Sequence, residues 1–114
     1  MTIDEVRKIS DLDLLEGIAC FRGWEIQKLF DGSFEWVPPT DWHKKLSSFG
    51  PPDYPSDLNA IYDLYVWLPK EKKLVYNKYL AGLVEWTPTT LGDIYNAPAR
   101  KRAEALLLMI KNGD

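Results

Sequence analysis

Histidine and cysteine are almost missing from this sequence: His43 and Cys20 each stand alone among 114 residues. A single thiol closes no intrachain disulfide, so a disulfide-stapled extracellular scaffold is excluded and a reducing compartment fits. Zinc sites take three or four nitrogen and sulfur ligands, and one of each falls short. A basic excess is lacking too. Fourteen Lys and Arg against seventeen Asp and Glu leave a formal charge of −3, an unfavourable balance for tracking phosphates. The longest apolar runs, 64–68 and 105–110, are far shorter than the ~20 residues that span a bilayer. Met1-Thr2-Ile3-Asp4-Glu5 is acidic and opens no apolar signal core. No G-x-S-x-G elbow, phosphate-binding glycine loop, repeat or low-complexity tract occurs. The expectation is a soluble, cytoplasmic protein with no cofactor, no metal and no membrane partner.

Apolar residues are plentiful. They make up 46% of the chain, aromatics 13%, enough for one core in a single domain, 1–114. Thr2 with Glu5 reads as a capping box opening a short helix to about Ile9. Ser10 with Asp13 opens a second helix. Leu12, Leu15 and Ala19, with Leu14 and Ile18 beside them, form its apolar face, and Gly23 stops it. Cys20 falls mid-helix near that face, which predicts a buried structural cysteine.

The period then changes to two. Trp24, Ile26, Lys28 and Phe30 alternate with Glu25, Gln27 and Leu29. Asp31-Gly32 suits a two-residue type I′ turn, and 33–37 returns. That turn sets Leu29 opposite Phe34, Gln27 opposite Trp36 and Lys28 opposite Glu35. Pro38-Pro39 ends the strand, and 40–55 reads as loop. Ser56 is the expected cap of a third helix whose face is Leu58, Ile61, Tyr62, Tyr65 and Leu68. Beyond Pro69, a segment from Lys70 keeps Tyr76, Leu80, Leu83 and Val84 at helical spacing, although Gly82 weakens it and a strand over 84–87 is the alternative. Residues 91–95 read as a short strand or an extended link. Pro98 starts the last helix, with a stripe of Ala99, Ala103, Leu106, Leu107 and Ile110 and Gly113 at its close. The fold class is therefore α+β: a small antiparallel sheet built on a β-hairpin, layered with three to five α-helices.

Two stretches carry a family likeness. One is Gly50-Pro51-Pro52-Asp53-Tyr54-Pro55-Ser56-Asp57-Leu58-Asn59-Ala60, and the other is Asn96-Ala97-Pro98-Ala99-Arg100-Lys101-Arg102-Ala103-Glu104-Ala105-Leu106-Leu107. Together with 19–24, Ala-Cys-Phe-Arg-Gly-Trp, this order resembles the phage ABA sandwich domain family of small phage and prophage proteins. The resemblance implies a phage origin, a bacterial host cytoplasm and a layered α+β fold. The family has no established activity, so it implies no functional residues. Residues 70–90 depart from its pattern by reading as helical, which leaves the strand number open.

The candidate chemistry is thin. Asp41, Asp53 and Asp57 flank the long loop, and Asp53, Asp57 and His43 could form a small carboxylate-dependent hydrolase. Asp57 also suits the first turn of a helix, and Asp53 suits a turn. Cys20 and His43 could pair as nucleophile and base, but no charge beside Cys20 would activate it. Two basic runs, Lys70, Lys72, Lys73 and Arg100, Lys101, Arg102, open helices against the dipole preference. They form either a nucleic-acid patch or a solvated face in which Arg100 reaches Glu104 at i+4. Trp42 and Tyr54 lie in the proline-rich loop and Trp67 falls off its helix stripe, so these three are candidate anchors of a protein interface. Residues 105–110 are apolar all round, which means enclosure within the domain or pairing with another copy as a homodimer. The leading expectation is a non-enzymatic, phage-derived module that binds or inhibits a host or phage protein, anti-defence being one form. A nucleic-acid-binding accessory protein is the alternative, and a hydrolase the third reading.

Overall fold

A helix that is apolar on every side needs neighbours on every side, and the architecture is arranged around one. The computed structural model describes residues 1–42, 50–83 and 97–112. Along them run α1 (Ile3–Arg7), α2 (Asp11–Arg22), β1 (Glu25–Lys28), β2 (Phe34–Val37), α3 (Leu58–Trp67), α4 (Lys70–Leu83) and α5 (Ala99–Asn112). The α+β class with a small antiparallel sheet, layered with five helices among the described residues, is as expected. Helix α5 is the central element. Residues 103–109 are all buried, with α4 and α2 packed most extensively on it and α1 and α3 beside them. The chain itself thus covers 103–109 of the apolar run that also suggests a homodimer, while Ile110 stays half-buried.

Local chemistry sets the helix ends. Glu5 N–H donates to Thr2 Oγ1 and Thr2 N–H to Glu5 Oε1, both at 3.1 Å, completing the capping box. Ser10 Oγ accepts from Asp13 N–H at 3.2 Å, and Gly23 ends α2 in the left-handed region, φ 111°. The buried side of α2 is Leu14, Ile18 and Ala19, while Leu12 lies outside it. Cys20 is exposed rather than buried. The helix is rotated so that this position reaches the surface beside α5 instead of the core.

Helix α3 is also rotated from the expected face. Its cap is Asp57, whose Oδ1 accepts from the backbone N–H of Asn59 and Ala60 at 3.0 and 3.3 Å. Ser56 is occupied one step earlier, donating its N–H to the Asp53 carbonyl. The buried residues are consequently Ala60, Ile61, Leu64 and Leu68, leaving Leu58 and Tyr62 exposed. Helix α4 buries Tyr76, Leu80 and Leu83 as the spacing predicts. The alternatives for 84–87 and 91–95, and the close at Gly113, lie outside the described residues.

The hairpin forms where expected, but its register differs by one. Lys28 pairs with Phe34, Gln27 with Glu35, Ile26 with Trp36 and Glu25 with Val37. The turn is the cause. Gly32 N–H donates to the Leu29 carbonyl at 3.1 Å and Leu29 N–H to the Ser33 carbonyl at 2.8 Å. This closes a three-residue loop in which Gly32 supplies the positive φ of 86°. Asp31 Oδ1 accepts from Ser33 N–H at 2.9 Å and from Ser33 Oγ at 2.6 Å, reinforcing that longer turn. A one-residue slip re-sorts every cross-strand pair. Ile26, Lys28, Phe34 and Trp36 now share one face, and Glu25, Gln27, Glu35 and Val37 the other. The root of the hairpin is anchored through Trp36, which packs on the core. The rest is bare: Ile26 is 51% and Phe34 66% exposed, and Phe30 at the tip is fully so.

Candidate functional site

The three expected interface aromatics do not form a free patch. Tyr54 is only 1% exposed, and burial pushes its phenol up to about 12, so it is a core residue and not a surface anchor. Trp42 is half-buried and meets Trp24 edge-on, 5.1 Å between centroids. Trp67 remains 39% exposed and meets Phe21 edge-on at 5.9 Å.

Sequence reasoning missed the group that organises this cluster. The Arg22 guanidinium lies 5.4 Å from the Trp42 ring centroid and 4.4 Å from that of Trp67. Arg22 Nη1 donates to Asp41 Oδ1 at 2.8 Å, and Trp67 Nε1–H donates to Asp41 Oδ2 at 3.2 Å. Arg22, only 9% exposed, thus clamps the end of α3 and the segment around Asp41 to the end of α2. Contacts of this type each contribute about 0.5–2 kcal/mol. Trp42 and Trp67 come together, but as the jaws of an internal clamp.

The hydrogen bond from Arg22, with a smaller one from Trp67, holds the Asp41 carboxyl below its ordinary value of 3.8. A carboxylate depressed in the folded state contributes stability above its unfolded value and loses it as pH falls through the folded value. The clamp is therefore expected to open only below pH 3.8. An acid titration of tryptophan fluorescence should show a transition there that Asp41→Asn removes. An identical titration in the variant would disprove the assignment.

Three of the six residues in the basic runs, Arg100, Arg102 and Lys73, are engaged within the fold. Arg100 Nε donates to Glu104 Oε2 at 2.8 Å, the expected i+4 pair. Its Nη1 pairs with Asp11, and its Nη2 reaches the carbonyls of Ile9 and Arg7 at 2.6 and 3.3 Å. Arg100 therefore caps the end of α1 and the link into α2, and it leaves the nucleic-acid set. Arg102 Nε donates to the Ala97 carbonyl at 3.0 Å. Lys73 Nζ sits 5.4 Å over the Tyr65 ring. Lys70 is exposed, while Lys72 and Lys101 are half-buried.

Two of the three carboxylates serve the fold: Asp57 caps α3 and Asp41 holds the clamp, while Asp53 closes the turn before α3 through its backbone carbonyl. His43 lies outside the described residues. Among those residues no three His, Cys, Asp or Glu side chains are grouped to hold a metal. None of their helices is long and apolar enough to cross a membrane.

What remains open is the hairpin. Among the described residues, four of the eleven exposed large hydrophobics, Ile26, Leu29, Phe30 and Phe34, fall within nine residues of the hairpin, and four more, Leu58, Tyr62, Val66 and Trp67, within ten residues of α3; the hairpin carries the fully exposed Phe30. The alternation of 24–30 was the signal for this surface, but alternation alone does not say whether a face is covered. No known protein family, curated protein or solved structure matches this chain.

Proposed function

We propose that this domain is a non-enzymatic protein-binding module that inserts its hairpin into an apolar cleft with a basic rim on a partner protein. The observation that supports it is the exposure of Ile26 and Phe34, which flank Lys28 on one face of the hairpin, continued by Phe30 at the tip. A two-stranded sheet is marginal alone and gains stability when a face or edge is covered. The opposite face carries Glu25 and Glu35, with Asp31 exposed in the turn, which favours a partner rim of Lys and Arg. Binding of this kind would occlude or modulate the partner. A phage-derived inhibitor of a host or phage protein is the form that the family resemblance suggests.

Affinity capture from a bacterial lysate tests the reading through its variants. Phe30→Asp with Phe34→Ser should reduce recovery of a stoichiometric partner at least tenfold. Both positions are exposed, so the unfolding midpoint should move by only about 2 °C. Undiminished recovery of the same partner by the double variant would refute docking through the hairpin.

A further inference from the structure

A second surface lies between α2 and α5. An open groove of 610 Å³ is walled by Ile9, Phe21, Leu107 and Ile110. Asp13 and Glu16, one turn apart on α2, line it from that helix, and Lys111 on α5 and Met1, whose ammonium donates to Asn112 Oδ1 at 2.8 Å, line it as well. Neither carboxylate forms an ion pair among the described residues, whereas Asp11 and Glu104 nearby are both taken by Arg100. Two like charges three residues apart on a helix repel each other mildly. A cation placed between them relieves this repulsion, and the apolar wall beside them offers hydrocarbon contact.

We propose that this groove receives an amphipathic helix of a partner protein, with an apolar stripe flanked by Lys or Arg on the side that meets α2. The charge pattern decides the occupant: an acidic flank would face Asp13 and Glu16, and a neutral apolar segment would leave both unpaired. The groove runs along α2 from Asp13 to Cys20, a length of about 10 Å, or two helical turns. That length accommodates apolar side chains at i, i+3 or i+4, and i+7. The proposal involves none of the hairpin residues, so its success or failure is independent of the reading above.

Two fluorescein-labelled helical peptides with identical leucine spacing, one flanked by Lys and one by Glu, provide the test by fluorescence anisotropy. The Lys peptide should bind the wild-type chain at least tenfold more tightly than the Glu peptide. Asp13→Asn with Glu16→Gln should reduce that preference below threefold. Removing the same charge elsewhere, by Asp4→Asn with Glu71→Gln, should leave it intact, which separates the groove from the net charge of −3. Cys20, the single thiol and exposed on the groove, supplies an orthogonal readout: alkylation with a bulky maleimide should abolish binding of the Lys peptide. Failure of both peptides to bind, equal binding of the two, a preference that survives the groove variant or is lost in the control pair, or binding unaffected by alkylation would each overturn the proposal.

Discussion

Arg100→Met is expected to lower the thermal midpoint by roughly 10 °C, from a loss of about 2–3 kcal/mol. The argument begins at Glu104, which is 4% exposed. Among the described residues its Oε1 has no hydrogen-bond partner, and its Oε2 accepts from Arg100 Nε. Removing the guanidinium leaves a buried carboxylate with nothing to compensate its charge. It also strips the Ile9 and Arg7 carbonyls of a donor. The loss stays at the lower end for broken buried pairs because the Arg100 side chain is itself 29% exposed, so water reaches part of the site. Arg100→Lys should rescue little, since an ammonium cannot serve Glu104, Asp11 and two carbonyls with one planar fork. Arg100→Met combined with Glu104→Leu should recover most of the loss by removing the stranded charge. A solvated basic residue would behave otherwise, with a change below about 0.5 kcal/mol. Thermal unfolding by circular dichroism separates the two cases, and an unchanged midpoint for Arg100→Met would show that this hub is not structural.

Leu106→Ala is expected to be as damaging, at about 3 kcal/mol, because it opens a cavity in the middle of the enclosed helix. Leu106 is fully buried, with Leu107 and Leu108 beside it almost equally so. Urea denaturation should show a lower midpoint with an unchanged slope, since the surface exposed on unfolding hardly changes. The same measurement bears on the enclosure of α5. If its apolar side bound a second copy, stability would rise with protein concentration. A midpoint independent of concentration is the outcome that enclosure by α1–α4 requires. Ile110→Ala, at a half-buried position on the groove, should cost markedly less.

Features legible in the sequence share a short reach. The Thr2–Glu5 capping box, the Ser10 cap, the Gly23 stop and the Arg100–Glu104 pair each join residues no more than four apart. Helical spacing likewise located α4, because burial along it follows the helical period, and the Pro98 start with the continuous apolar run located α5. Features that were misplaced depend on rotation about an axis. Cys20 faces out and Tyr62 is exposed because the tilt and turn of α2 and α3 are set by what they pack against. The hairpin register lay between the two scales. It turned on whether Asp31 bonds Ser33 and lengthens the loop by one residue.

By itself, then, the sequence determined the α+β class, the helix ends at Thr2, Ser10 and Gly23 and the existence of the hairpin, since these follow from hydrogen bonds and periodicities within one or two turns of chain. Only the tertiary structure decided which polar groups are occupied. Arg22 meets Asp41 across 19 residues and Arg100 meets Ile9 across 91, and no local pattern encodes contacts between segments so far apart. The same long-range packing drew Tyr54 inside and left the face of Ile26 and Phe34 uncovered, because apolar residues settle where neighbouring elements leave room for them.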